Sequence, residues 1–318
     1  MNEAPISIGS THLRCIPLGI GTWSWGDEGQ WGFGVSHTEE DLKNAFAESV
    51  GHGVTLFDTG ERYGNGRSER FLGKFINQSH REIVVATKFS PLQWHVRRQD
   101  LTNALLASLK RLGLAKVALY QLHWPSRFIS VEKRMDAFAE ALEKNLAESV
   151  GVSNFNLEQL MRAQESLRRR NLSLATIQLE YNLLQRFPER NGILKACRRL
   201  GITFLAYSPL GRGVLTGKYS VQNPLPGTRG RLYPGSLLEK ISSLISLLKR
   251  IGEVNFGKTP AQVALNWLMC KGAIPLAGAK SGEQAQENMG ALGWRLTPEQ
   301  VLAIDEESLR LQPRSLKR

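Results

Sequence analysis

Cysteine and histidine are scarce in this chain of 318 residues. The three cysteines, Cys15, Cys197 and Cys270, are widely spaced and odd in number, so they provide neither a disulfide framework nor a Cys-x-x-Cys motif. None of the six histidines lies four residues from another, which excludes the histidine pair of a zinc-binding helix. We therefore predict reduced cysteines packed in the core and no bound metal.

Long hydrophobic runs are also missing, and no stretch reaches the apolar length that crosses a bilayer. Residues 1–5 lack the basic and then apolar order of a secretory signal. With 42% hydrophobic and 22% charged residues, the composition is typical of globular proteins. We expect one cytoplasmic domain over residues 1–318 without membrane contact, because α/β barrels of this length fold as single units.

The net charge of +12 raises the question of nucleic-acid binding, since clustered lysine and arginine neutralise phosphates. The basic residues are instead spread along the chain, and the densest runs, at 168–170 and 314–318, have no interleaved aromatic residues. A solvated helix face and a chain terminus explain these runs better. Nucleic-acid binding is therefore the least favoured function.

Short apolar runs alternate with amphipathic stretches after a possible hairpin at 6–8 and 14–16. The pattern predicts eight strands, at 18–22, 54–57, 83–87, 117–122, 149–152, 176–178, 203–207 and 273–276. It predicts helices at 39–52, 68–77, 99–112, 131–146, 157–170, 188–200, 261–270, 283–292 and 298–309. Eight such units indicate an α/β fold, the closed (β/α)8 TIM barrel. The one long irregular segment, at about 210–235, is predicted to be a lid or cofactor loop.

Two glycine-rich stretches resemble nucleotide-binding motifs, and both fail. Residues 19–24 begin like a dinucleotide fingerprint, but Ser24 stands where the third glycine is needed. Residues 211–219 begin like a phosphate-binding loop, but Tyr219 replaces the hydroxyl residue that binds Mg²⁺. A doubly wound nucleotide-binding sheet is therefore rejected.

Polar residues follow three of the predicted strands, where barrel enzymes place their active sites. These residues are Asp58, Lys88 and His123, and Tyr63 follows Asp58 in a glycine-rich turn. Each alone has an ordinary structural explanation, such as a cap or a core contact. A buried lysine needs a carboxylate, for which Asp58 is suited. We expect the ammonium to lower the pKa of the phenol from about 10 toward neutrality, which would make Tyr63 an acid.

This set of side chains resembles that of the aldo-keto reductase superfamily, together with four ordered motifs at 19–23, 151–155, 207–210 and 278–281. Segment 228–233 is similar to the branch of plastid and cyanobacterial oxidoreductases that is related to potassium-channel β subunits. The resemblance implies an NAD(P)H-dependent enzyme that binds NADPH in an extended form and reduces an aldehyde or ketone. It makes Tyr63 the proton donor to the carbonyl oxygen, Lys88 with Asp58 the pair that tunes it, and His123 the group that orients the carbonyl.

The resemblance also implies the cofactor contacts. Ser153, Asn154 and Gln178 would hold the carboxamide, and Tyr207 would stack on the nicotinamide. Lys280, beside the helix that Ser281 begins, would bind the 2′-phosphate and favour NADPH over NADH. Many relatives carry arginine where Gln284 stands. The remaining predicted contacts are Gly21, Thr22, Trp23, Asp58, Ser208, Leu210, Gly211, Gly213, Lys218, Glu287 and Asn288.

Four tryptophans on the loops around the barrel mouth, Trp25, Trp31, Trp94 and Trp124, are predicted to form an aromatic wall for an apolar carbonyl substrate. The sequence specifies neither that small molecule nor the oligomeric state. An alternative function on the same barrel is that of a subunit that senses the nicotinamide cofactor or associates with a channel.

Overall fold

The computed structural model describes residues 3–79, 81–92 and 97–311. Its centre is a closed barrel of eight parallel strands, and each strand pairs with the next one along the chain until the last pairs with the first. These strands are β3 Gly19–Gly21, β4 Leu56–Asp58, β5 Val84–Phe89, β6 Val117–Leu122, β7 Ala147–Ser153, β8 Thr176–Glu180, β9 Thr203–Tyr207 and β10 Ile274–Gly278. The predicted (β/α)8 TIM barrel is confirmed, with every strand within two residues of its expected bounds.

A short hairpin closes one end of the barrel. Its strands, β1 Ile6–Ser7 and β2 Arg14–Cys15, pair antiparallel as predicted. Ile8, Leu13 and Cys15 are buried and pack against interior side chains such as Leu56 and Ala86. Since a barrel interior must be filled by side chains, this apolar plug leaves the C-terminal ends of the strands for a polar site.

Helices cover the outside of the barrel. Their bounds are α1 Glu39–Gly51, α2 Arg67–Ser79, α3 Arg98–Leu112, α4 Val131–Glu143, α5 Leu157–Arg168, α6 Phe187–Arg190, α7 Ile193–Leu200, α8 Thr228–Leu232, α9 Gly235–Val254, α10 Pro260–Cys270, α11 Gly282–Met289 and α12 Pro298–Leu311. The predicted helix 188–200 is two helices, because Gly192 adopts a left-handed φ of 82° between them. The helix predicted to continue to residue 146 ends at Glu143, and Asn145 is left-handed with a φ of 55°.

The prediction missed α9 altogether, although the helix is 20 residues long. Its buried Leu238, Ile241, Ile245 and Leu248 recur at helical spacing, so the signal was present. Segment 210–235 is not wholly irregular either, since it contains a 3₁₀ turn at Gly211–Thr216 and helix α8. The prediction for cysteine was also partly wrong, because Cys270 is exposed. Within the described residues, no helix has both the length and the apolar character needed to span a bilayer.

Candidate active site

A buried ion pair lies at the C-terminal end of the barrel. Lys88 is fully buried on β5, and its ammonium donates to the carboxylate of Asp58 at the end of β4. The same Nζ donates to the backbone oxygen of Thr59 at 2.8 Å and to the hydroxyl oxygen of Tyr63 at 3.1 Å. An ammonium has three N–H donors, so all of them have an acceptor. The pair is therefore compensated, and one of its bonds is aimed at the phenol.

Tyr63 begins a 3₁₀ turn, Tyr63–Gly66, five residues after the last residue of β4. Glycine is required at position 64, because its φ is 53° and an added Cβ would lie 2.7 Å from the backbone oxygen of Gly26. The tyrosine ring packs on Gly60, where an added Cβ would meet it at 3.5 Å. These close approaches hold the phenol over the Lys88 ammonium, which lies 4.8 Å from the ring centroid.

The direction of the pKa shift of Tyr63 differs from the expectation. Burial raises the pKa of the phenol above its ordinary value, and the nearby Lys88 ammonium offsets only part of that effect. The prediction that Lys88 brings the phenol's pKa down toward neutrality is therefore wrong for this structure, because desolvation outweighs the attraction. At neutral pH the phenol carries its proton, which is the form that a proton donor requires.

His123 follows β6 and faces the phenol edge to face, with ring centroids 5.9 Å apart. Burial and the Lys88 charge lower its pKa to about 3. Its Nδ1 lies 3.3 Å from the hydroxyl oxygen of Ser90. A neutral imidazole has one N–H and one acceptor nitrogen, so His123 can donate one hydrogen bond to an oxygen in the cavity without carrying charge.

A cavity of about 660 Å³ opens above these groups. Its wall includes Asp58, Tyr63 and His123, and it reaches Asn288 of α11 and Lys218 of the long loop. The other predicted site residues that line it are Gly21, Trp23, Trp31, Trp124, Ser153, Asn154, Gln178, Tyr207, Ser208, Leu210, Gly213, Lys280, Gln284 and Glu287. Lys88 lies behind the wall and contacts two of the residues that form it, Asp58 and Tyr63.

Several predicted contacts do not lie on the cavity wall. Thr22 is buried and uses its hydroxyl to donate to the backbone oxygen of Asp58 at 3.0 Å. Gly211 is buried, and the hydroxyl of Ser281 accepts from the backbone of α11. The prediction for Trp25 is wrong: it is fully buried, and its indole N–H donates to the backbone oxygen of Ala279 at 2.9 Å. Trp94 lies outside the described residues.

The residues predicted to hold the carboxamide form one hydrogen-bonded group. Asn154 is left-handed, with a φ of 60°, and its side chain donates to the backbone oxygen of His123 at 2.9 Å and accepts from the Tyr207 hydroxyl at 3.0 Å. Ser153 donates to the backbone oxygen of Gln178 at 2.9 Å. This arrangement places amide, hydroxyl and aromatic groups beside Tyr63, which suits a planar ring that carries an amide.

Two arginines of the long loop were not predicted. The guanidinium of Arg212 lies over the ring of Trp23 at 5.7 Å, and that of Arg229 over the ring of Trp31 at 5.3 Å. Both arginines line the cavity. Burial and the charge of Arg229 lower the pKa of Lys280, so two cations share this part of the wall. The several arginines in this loop could have indicated, from the sequence alone, that the loop contributes positive charge to the site.

The end of the cavity near α11 carries the features of an anion site. The hydroxyl of Ser281 accepts from the backbone N–H of Gln284 at 3.4 Å. The side chain of Gln284 accepts from the backbone N–H of Lys280, the residue before Ser281, at 3.0 Å. The start of helix α11, with Lys280 and Arg229 on the same part of the cavity wall, favours a phosphate. The cavity thus fits a dinucleotide that extends from Tyr63 to Asn288.

The model of the family described as the aldo/keto reductase family matches residues 17–308. The chain belongs to the aldo/keto reductase family. Membership confirms the predicted enzyme class, an NAD(P)H-dependent oxidoreductase.

Among curated proteins, the chain is 38% identical to the chloroplastic pyridoxal reductase of Arabidopsis thaliana, over 96% of this chain and 86% of that protein. The compartment in that protein's name leaves the cytoplasmic location of this chain a prediction. Among solved structures, it is similar to the glycerol dehydrogenase of Gluconobacter oxydans, with 26% identity, a TM-score of 0.85 and coverage of 100% and 98%. An aldo-keto reductase from Klebsiella pneumoniae, solved in complex with NADPH, is 25% identical, with a TM-score of 0.77 and coverage of 99% and 98%.

Proposed function

We propose that this protein reduces an aldehyde or ketone to the alcohol with NADPH, and that Tyr63 donates the proton. The observation that carries the proposal is the bond from the buried Lys88 ammonium to the Tyr63 hydroxyl, 3.1 Å long, on the wall of the large cavity. Bound NADPH would supply the hydride. The chain itself supplies a protonated phenol, a fixed positive charge behind it and a neutral imidazole beside it.

The proton transfer follows from this geometry. A carbonyl oxygen between Tyr63 and His123 would accept a hydrogen bond from each, and the phenol proton would move to it as negative charge develops. The phenolate that forms is already hydrogen-bonded to Lys88, whose charge is held in place by Asp58. Because these groups need little reorganisation, they stabilise the transition state more than the ground state.

The residues around the cavity support NADPH as the cofactor. Ser153, Asn154 and Gln178 would hold the carboxamide, and Tyr207 would stack on the nicotinamide. Lys280, with Arg229, would bind the 2′-phosphate. The long loop, whose Arg212 and Arg229 contact Trp23 and Trp31, would cover the pyrophosphate.

For the substrate we propose a planar aromatic aldehyde, with pyridoxal as the first candidate. Trp31 and Trp124 lie on the cavity wall, and 52% of the surface of Trp124 is exposed, which suits a ring that stacks at the mouth. The similarity to a protein named pyridoxal reductase supports the same substrate. It also supports placement in the plastid and cyanobacterial branch of the family.

The test is steady-state NADPH oxidation with pyridoxal and with a short-chain aliphatic aldehyde. We expect kcat/KM to be about 2-fold to 10-fold higher for pyridoxal, since an aromatic contact contributes about 0.5–1.5 kcal/mol. Tyr63→Phe should lower turnover by about 100-fold or more, because it removes the general acid. Tyr120→Phe is the matched control, because Tyr120 is fully buried, does not line the cavity and uses its hydroxyl to donate to the backbone oxygen of Leu101 at 3.5 Å. Unchanged turnover in Tyr63→Phe would refute the assigned acid, and tight NADPH binding without any turnover would favour the sensing subunit.

A further inference from the structure

A fully buried glutamine lies beneath the predicted active site. Gln121 is on β6, directly paired with Lys88 of β5 on one side and with Gly151 of β7 on the other. Its amide Nε2 donates to Oδ1 of Asp58 at 3.0 Å. Gln121 does not line the cavity, so it acts on the site only through its neighbours.

The other half of the amide connects Asp58 to β8. Oε1 of Gln121 accepts from the hydroxyl of Thr176 at 3.4 Å and from Nε2 of Gln178 at 3.4 Å. The same Nε2 of Gln178 donates to Oδ1 of Asp58 at 2.8 Å. Oδ1 therefore receives two amide N–H groups, while Oδ2 receives Lys88. This network fixes the plane of the carboxylate from both sides.

The neighbouring strand makes room for this network. An added Cβ on Gly151 would lie 2.1 Å from the hydroxyl oxygen of Thr176 and 3.3 Å from Cγ of Gln121. Any side chain at position 151 would therefore disrupt the hydrogen bonds that connect Gln121 of β6 to Thr176 and Gln178 of β8. A glycine at this strand position permits the close approach.

We propose that Gln121 is a positioning residue for the proton donor, because its amide holds the Asp58 carboxylate in register with Lys88 and with Gln178. The inference depends on the proposed reductase function. The field of Asp58 raises the pKa of Tyr63 and that of Lys88 lowers it, so the acidity of the phenol depends on how the carboxylate is oriented and compensated. Gln121 sets both.

The sharpest test is Gln121→Glu, which keeps the size of the side chain. A carboxyl buried beside Asp58 should remain protonated at neutral pH, because burial and a like charge both raise its pKa, and its O–H would replace the lost N–H. When it ionises at higher pH, two carboxylates flank Lys88, and the phenol becomes a weaker acid. We expect the pH profile of kcat/KM for reduction to gain an ionisation above about pH 7, with lower activity on its alkaline side.

Gln121→Met removes all three hydrogen bonds of the Gln121 amide at nearly constant volume. We expect kcat to fall about 10-fold to 100-fold, since a buried acceptor loses one of its donors. The dissociation constant for NADPH, measured by fluorescence titration, should change less than about threefold, because Gln121 does not reach the cavity. Asn266→Ala is the control: that buried amide bonds to the backbone of Ala291, Trp294 and Leu296. It should lower the melting temperature and leave the pH profile unchanged.

The outcomes separate the two proposals. If Tyr63→Phe retains full turnover, the proposed function fails. If Tyr63→Phe loses turnover while the Gln121→Glu profile matches that of the natural protein from about pH 5 to 9, only the role of Gln121 is overturned. Should Gln121→Met not fold, Gln121→Glu decides alone, since its neutral form keeps both bonding atoms.

Discussion

Replacement of Lys88 by methionine tests the centre of the proposed mechanism. Lys88 is fully buried, and its partner Asp58 has only 4% of its side chain exposed. In Lys88→Met the carboxylate keeps the two amide donors but loses its only cation among the described residues. Breaking one side of a buried pair costs about 3–5 kcal/mol, so the free energy of unfolding should fall by that order.

Turnover should fall for a separate reason. The hydrogen bond from the ammonium to the Tyr63 oxygen is charged, and bonds of this kind contribute about 1.5–3 kcal/mol. Because the bond strengthens as the phenolate forms, its loss should lower kcat by at least about 10-fold to 100-fold. Urea unfolding measures the first effect, and NADPH oxidation at saturating aldehyde measures the second.

The double variant Lys88→Met with Asp58→Asn separates these effects. It removes the uncompensated charge, so most of the lost stability should return, while the phenol still lacks its ammonium and turnover should stay low. The reasoning would be refuted if Lys88→Met were as stable as the natural protein, or if the double variant recovered turnover.

Two further predictions concern His123, beside the proposed proton donor, and Lys280, at the proposed 2′-phosphate site. The pKa of His123 is about 3 in the folded protein and ordinarily 6.5, so between these values only the unfolded chain binds the proton, and stability should fall as the pH drops through this window. His123→Gln should flatten the pH dependence of the urea midpoint there, and equal slopes would contradict the shift. Lys280→Met should weaken NADPH binding by about tenfold or more, because it removes a charged contact to the 2′-phosphate, and should leave NADH binding nearly unchanged. Parallel fluorescence titrations measure this, and equal losses for both cofactors would place the 2′-phosphate elsewhere.

The barrel was predictable because its signals are local. Each strand is a short apolar run, and each of Asp58, Lys88 and His123 follows or ends such a run, so one rule about barrel ends brings them together. The position of Trp25 was not predictable in the same way. Trp23 and Trp31 lie on the cavity wall and Trp25 in the core, and that difference depends on how a loop without periodicity turns.

The pKa of Tyr63 could not be predicted from the sequence, for a different reason. The residue types supply an ammonium near a phenol, which lowers its pKa, but the cost of burial depends on the three-dimensional surroundings. In the folded barrel that cost is the larger effect. The residue types therefore predict which groups interact, but the structure is needed to decide whether the pKa of the phenol rises or falls.

Gln121 is an intermediate case, and strand periodicity explains it. Side chains at alternate positions of a strand share one face, so Leu119, Gln121 and His123 all point into the barrel. Leu119 packs in the apolar plug, and Gln121 bonds Asp58. Along β6, the surroundings of the inward side chains therefore change within two residues from the apolar plug to the charged Asp58. Because one glutamine amide has both a donor and an acceptor, Gln121 can link the Asp58 carboxylate to the polar side chains of β8. A lone amide in an otherwise apolar strand was visible in the sequence, but its partners on β4 and β8 come from closure of the barrel.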